Sequence, residues 1–378
     1  MNLTEVRNLF DIPEDVSYLN FASLSPQLRS VTSAGIQALQ KKAAPWEIQA
    51  PDWFSGGEEL RVHAARVINA AADDIALIAS VSYGISIAAA NIPVSKGQQI
   101  VVMDEEYPSN YYAWRELSKA SGAEVLTVKK GEVSWTEALL ESISSSTAIV
   151  AIANCHWTNG AMVDLVQISE KTRSVGAALV IDASQAMGVY PIDVEAIQPD
   201  FLVSVGYKWL LGPYGLGYLY ASPKWQKEGR PIEYSWRSKS GSENFAALVN
   251  YRDEYQPGAR RFDTGELPGF IHAPMSIEAL KQLNAWGVPA IQFVLAGLTR
   301  EVARQASSMG LSFPAGAEQA GHMIGINLPG GIPEALKEEL NKEKIYVGYR
   351  GKGIRISPYL YTTMDDIDRL MQVIRRHI

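Results

Sequence analysis

Ser204-Val205-Gly206-Tyr207-Lys208-Trp209-Leu210-Leu211-Gly212-Pro213-Tyr214-Gly215-Leu216-Gly217 sets a lysine between an apolar run and a turn rich in Gly and Pro. The run leading in, Phe201 to Val205, and the run leading out, Gly217 to Ala221, are of strand length and almost wholly apolar. Such runs read as strands covered on both faces. The loop between them, 206–216, is too short for a helical crossover, so this pair is expected to be antiparallel. Most lysines are solvated charges. Lys208, however, is followed by Trp209, Leu210 and Leu211. An amine held there is partly withdrawn from water, which lowers its pKa and makes it nucleophilic toward an aldehyde.

Five further runs of the same kind precede this stretch: Ile75 to Ala79, Gln99 to Met103, Glu124 to Val128, Ala148 to Ala153 and Ala178 to Asp182. They are separated by segments of helical length or by turn residues, which predicts a doubly wound, mainly parallel seven-stranded α/β sheet with helices on both faces. After Pro274 the pattern becomes that of an amphipathic helix, from Met275 to Asn284 and on through Met309, then of a short α+β region from Gly321 to Ile378. The expected division is a large α/β domain over 19–274 and a smaller α+β C-terminal domain over 275–378, joined by residues 1–18. Arg237 to Glu266, rich in Ser, Gly, Asn and charge, reads as a long surface excursion.

The chain has 378 residues, 47% of them hydrophobic and 20% charged, with a net charge of -7. It carries no clustered excess of Lys and Arg, so neither nucleic acid nor an anionic membrane is an expected partner. No apolar stretch approaches the ~20 residues of a membrane span. Met1 to Glu14 lacks the basic and apolar regions of a secretory signal, which predicts a cytoplasmic protein. A single cysteine, Cys155, excludes an internal disulfide. The histidines at 63, 156, 272, 322 and 377 show no ligand spacing, so no metal is expected.

Two more segments carry chemistry. Ala178-Leu179-Val180-Ile181-Asp182-Ala183-Ser184-Gln185 places a carboxylate at the C-terminal end of a buried strand, where ligands of open α/β sheets gather. Asp182 there can cap the next helix or face a bound cation. Ser80-Val81-Ser82-Tyr83-Gly84 follows a strand and opens a helical run, leaving free backbone N–H groups suited either to a Ser cap or to a phosphate.

Taken together, these motifs resemble those of the class V aminotransferase group of fold type I pyridoxal 5'-phosphate (PLP) enzymes, which includes cysteine desulfurases, isopenicillin N epimerase-like proteins and kynureninases. The resemblance runs from Tyr18-Leu19-Asn20 to Ile354-Arg355-Ile356-Ser357-Pro358-Tyr359-Leu360-Tyr361-Thr362-Thr363. Its most specific element is Asp182-x-x-Gln185 followed by Gly206-Tyr207-Lys208-Trp209-Leu210 and Gly212-Pro213. The resemblance implies a Schiff base between PLP and Lys208, with Asp182 on the pyridine nitrogen and Gln185 and Asn159 on the phenolic oxygen. It puts Tyr107, from Glu105-Glu106-Tyr107-Pro108-Ser109-Asn110, on the face of the ring. The phosphate falls to Val81, Ser82 and Tyr207, and the substrate carboxylate to Arg355, a planar two-pronged donor. Apolar Ile354 and Ile356 flank that arginine, as on a strand with one side chain turned inward.

The chain also departs from its relatives. Cysteine desulfurases carry a nucleophilic cysteine shortly before the substrate arginine, and Asn341 to Gly353 contains none. Val205 stands where relatives often have Ser or Thr, with Ser204 one place earlier. In Phe262-Asp263-Thr264-Gly265-Glu266, either Thr264 or Glu266 occupies the position that meets the partner subunit's phosphate in a homodimer. The implied function is chemistry at the α-carbon of an amino acid, with transamination ahead of a β-lyase or an epimerase. A non-catalytic scaffold is the rival from another class. Trp46, Tyr83 and Arg350 are plausible pocket residues without assigned roles.

Overall fold

The computed structural model describes residues 3–378. Met1 and Asn2, the start of the segment assigned above to the smaller domain, lie outside the described residues. The seven expected strands form one sheet: β1 Ile75–Ile78, β2 Gln99–Met103, β3 Glu124–Val128, β4 Thr147–Ala153, β5 Ala178–Asp182, β6 Phe201–Val205 and β7 Gly217–Ala221, in the order β1-β7-β6-β5-β4-β2-β3. β7 runs antiparallel to both its neighbours. All other pairs are parallel.

Side chains alternate across a strand, so consecutive residues enter different layers. Val101, Val150, Ile181 and Leu202 join one apolar cluster. Their neighbours Ile100, Ile149, Val180, Phe201 and Val203 join the other. Burial on both faces explains why the strands read as unbroken apolar runs.

The strand order fixes where a ligand can enter. From β2 the chain steps outward to β3, then returns to place β4 on the other side of β2. The winding reverses there, and the loops leaving the C-terminal ends of β2 and β4 part to leave a crevice.

The single helix expected from Met275 through Met309 is two helices, α2 His272–Trp286 and α3 Val288–Ser308, when counted after α1 Val81–Asn91. Gly287 ends α2, and Pro289 sits in the first turn of α3, where no backbone N–H is needed. The excursion over 237–266 is exposed at Val249 and Tyr251, yet Ala259 and Phe262 are buried. Phe262 meets Phe201 of β6 edge-on at 6.0 Å. Beyond α3, β8 Ile324–Asn327, β9 Gly348–Arg350 and β10 Gly353–Ile356 make an antiparallel sheet in the order β9-β10-β8. Ser17–Tyr18 pairs in parallel with Ile345–Tyr346, so the beginning of the chain is stitched to its last third. No helix among the described residues is long and apolar enough to cross a membrane.

Candidate active site

Lys208 follows the end of β6 and Asp182 ends β5. These strands are adjacent and parallel, with Asp182 paired to Val203. Both side chains are buried, and both line one small cleft of about 140 Å³ with Ala22, Ser23, Glu106, Tyr107, Ala153, Cys155, Trp157, Ser184, Gln185, Tyr207, Arg350 and Arg355. The cleft opens at the switch point between β2 and β4.

Burial sets the electrostatics of the cleft. Lys208 is 9% exposed. Its amine is pulled down from 10.5 to about 8 by loss of water, against the opposing attraction of Asp182. Burial raises the Asp182 carboxyl, while the Ser184 backbone N–H donates to its Oδ1 at 2.9 Å. The Tyr107 ring lies 5.6 Å from the Lys208 amine and the Tyr207 ring 5.9 Å. Tyr207 in turn packs on Tyr214 at 4.5 Å.

Arg355 stands on β10 and is 1% exposed. Its Nη1 donates to the Trp157 carbonyl at 2.7 Å and its Nη2 to Ser23 Oγ at 2.6 Å. Burial, and after it the charge of Arg350, brings it down to about 9, so it stays cationic at neutral pH.

Four buried polar atoms of the cleft have no hydrogen-bond partner: Glu106 Oε2, Ser184 Oγ, Arg350 Nε and Arg355 Nε. Native proteins leave few buried polar atoms unpaired, and a cluster of them around one cavity marks a place for a polar ligand. An aldehyde cofactor with a basic ring nitrogen fits the amine, carboxylate and aromatic ring here, with its anionic tail directed to the start of α1 outside this wall. The cleft offers it a desolvated amine, a buried carboxylate, an aromatic face and unpaired donors.

The other expected residues are placed as follows. Gln185 lines the cleft, but its amide nitrogen donates to the Ala22 carbonyl at 3.1 Å and its oxygen accepts from Trp209 Nε1 at 2.9 Å. One amide hydrogen remains for a ligand. Asn159 is not among the lining residues, and its Oδ1 accepts from the Ala161 N–H. Val81 and Ser82 sit at the N-terminus of α1, where the Ser80 side chain caps Tyr83 N–H at 3.1 Å. Thr264 Oγ1 accepts from Ala79 N–H at 3.1 Å, beside β1 of its own chain and away from the cleft wall. Glu266 lines a separate groove of about 600 Å³ with Lys41, Lys42 and Arg237. Ser204 is buried, with its hydroxyl on the Val205 carbonyl.

Of the residues left without a role, Arg350 lines the cleft, whereas Trp46 is exposed and the Tyr83 hydroxyl donates to Glu233 at 3.2 Å. Sequence reading missed Glu106, Ser23, Ser184 and Trp157. Glu106 had a local signal in its position one residue before Tyr107. Ser23 had none, because it reaches the cleft only through long-range packing.

Comparison with known proteins bears on the family and the fold. Residues 50–370 match the family model described as aminotransferase class-V. An isopenicillin N epimerase from Streptomyces clavuligerus is 26% identical over 82% of this chain and 82% of its own. A probable cysteine desulfurase from Methanothermobacter thermautotrophicus is 30% identical over 67% of this chain and 62% of its own. Among solved structures, the apo cysteine desulfurase from Thermococcus onnurineus superposes with a TM-score of 0.84 at 18% identity, covering 99% of this chain and 98% of the other. The enzyme C-DES, solved with glycine covalently linked to its PLP cofactor, gives 0.87 at 17% identity, covering 98% of each chain. With the family model spanning most of its length and the fold shared throughout, the chain belongs to the class V aminotransferase family of PLP-dependent enzymes.

Proposed function

We propose that the protein is an aminotransferase that takes an amino acid into the Lys208 cleft and moves a proton from its α-carbon with the Lys208 amine. One observation carries the reading: a buried amine with its pKa lowered to about 8 stands beside a buried carboxylate and opposite a buried arginine. PLP, when bound, supplies an electron sink for charge developing at the α-carbon. Asp182 holds an anion against the ring nitrogen. Tyr107 covers one face, and the free N–H of Gln185 reaches the phenolic oxygen. The amides of Val81 and Ser82 hold the phosphate at the start of α1, with the Tyr207 hydroxyl as a further donor. Asn159, whose oxygen accepts from the Ala161 N–H, joins Gln185 through its amide nitrogen.

Arg355 grips the substrate carboxylate and so aims the α-carbon at Lys208, which then acts as general base. With PLP bound, transamination needs the same amine to return the proton to the cofactor instead of the α-carbon and water to release the keto acid, leaving the amino group on the cofactor. No second catalytic side chain is called for. A persulfide route is disfavoured, because burial pushes the Cys155 thiol up to about 12. In our reading the enzyme is a cytoplasmic homodimer in which Thr264 of each chain approaches the other's phosphate. Residues 19–274 form the large domain, and residues 1–18 with 275–378 the small one.

Purified protein incubated with PLP is expected to absorb in the visible. Borohydride is then expected to fix the cofactor on the peptide containing Lys208, and Lys208→Ala to prevent this. With a panel of amino acids, a keto acid appearing in an amount matching the enzyme marks transamination. Pyruvate and ammonia released over many turnovers mark elimination, and inversion at the α-carbon without keto acid marks epimerisation. A colourless protein indifferent to PLP overturns the assignment and favours a scaffold.

A further inference from the structure

The hairpin that carries Arg355 holds a second arginine on the same face. Gly348 lies opposite Arg355 and Arg350 opposite Gly353. Side chains alternate along a strand, so Arg350 and Arg355 project to one side as diagonal neighbours. Like charges placed so close repel, and here both are partly or wholly withdrawn from water, each with a buried Nε that has no partner.

Their existing partners are all neutral. Arg355 uses the Trp157 carbonyl and Ser23 Oγ. Arg350 donates to the Tyr349 carbonyl at 2.7 Å and to the same Ser23 Oγ at 3.3 Å, with its guanidinium 5.3 Å from the Trp157 ring centroid. Among the described residues, Arg350 and Arg355 each lack a carboxylate within ion-pair distance, whereas the chain's other buried arginine, Arg61, has both Glu58 and Asp263. The two acids of the cleft are otherwise committed. Asp182 accepts from Ser184 and faces Lys208. Glu106 accepts from the Tyr107 N–H and is held neutral by burial. The start of α1, where the cofactor phosphate is proposed to sit, is not part of this wall.

A single α-carboxylate neutralises one guanidinium and leaves the other as a half-buried charge without a counter-ion, which costs free energy. We infer that the substrate is an amino acid with a second acid group on its side chain, the α-carboxylate resting on Arg355 and the second anion on Arg350. This rests on the PLP-dependent reading above and narrows its substrate class.

The test compares aspartate and glutamate with asparagine and glutamine, which match them in shape but lack the side-chain charge. Holoenzyme is titrated with each while the visible absorbance of the bound cofactor is followed. The acids are expected to half-saturate at concentrations lower by about tenfold, because the amides leave the half-buried Arg350 without a counter-ion. Arg350→Gln is expected to erase the ratio, and Arg350→Lys to retain part of it. Calorimetry on the apoprotein is expected to show succinate or glutarate binding more tightly than butyrate. Equal half-saturation by acids and amides in the parent protein, as when one carboxylate bridges both arginines, overturns the inference and leaves the PLP assignment standing. A preference that survives Arg350→Gln also overturns it. If the protein takes up no PLP, the functional assignment falls, and the dicarboxylate calorimetry still decides the anion site.

Discussion

Glu106 shows how a single buried residue ties this site to pH. Its carboxyl is raised from 4.5 to about 8, first by burial and then by repulsion from Asp182. In the unfolded chain the same group ionises near its ordinary value. Stability is therefore fully present below about 4.5 and is lost as pH climbs toward 8, by about 4 kcal/mol at ~1.4 kcal/mol per pH unit. Asp182, also raised by burial, adds a loss of the same sign. Glu106→Gln keeps an oxygen for the Tyr107 N–H and removes one titration. Urea denaturation of the apoprotein is expected to find the variant close to the parent at pH 5 and more stable than it at pH 8. A parent whose stability does not fall over that range has an ionised carboxylate at 106, contrary to this account.

Among the elements, α1 is placed by what it lacks. A Cβ at Gly84 would stand 2.7 Å from Val203 of β6, 2.8 Å from Ile78 of β1 and 3.3 Å from Leu219 of β7. The missing side chain lets the helix lie directly on three strands and aims its N-terminus beyond their ends. Gly84→Ala forces the helix or the strands to give way. We expect a loss of about 1–3 kcal/mol in denaturant unfolding, together with weaker PLP binding as the Val81 and Ser82 amides shift. Unchanged cofactor affinity in a destabilised variant separates α1 from the phosphate site.

The strands were legible for a related reason. Two-sided burial makes each an apolar run, and Lys208 and Asp182 lie beside two of those runs. Elements outside the large sheet left weaker traces. The break at Gly287-Val288-Pro289 carried a turn signal that the surrounding periodicity masked. The short β9–β10 hairpin exposed its arginine pair only once register was known. Asn159 and Thr264 were legible only through their motifs, and the oxygen of each also accepts from a nearby backbone amide, of Ala161 and of Ala79.

On the scale of the whole molecule, the cleft is assembled from segments far apart in sequence, and residues 21–25 close it. Ser25 N–H donates to the Tyr207 carbonyl, Ala22 accepts from Gln185, and Ser23 receives both arginines. Phe21 is the wedge that holds this segment down. It is fully buried, stacked on Tyr359 at 4.0 Å and tilted against Trp209 at 4.9 Å. One ring thus joins the segment after β10 to the turn that presents Lys208. Phe21→Ala removes that bridge and leaves a cavity between the two, at an expected cost of about 3–5 kcal/mol in urea unfolding. Because Ser23 is two residues away, the same variant is expected to raise KM for the amino acid more than it lowers kcat, as Arg355 loses its fixed position while Lys208 stays on its own turn. Phe21→Leu, which refills most of the volume, is expected to recover most of both losses. If the leucine variant restores stability and leaves KM high, the ring positions Arg355 through its stacking on Tyr359. If both recover together, filled volume alone accounts for the coupling.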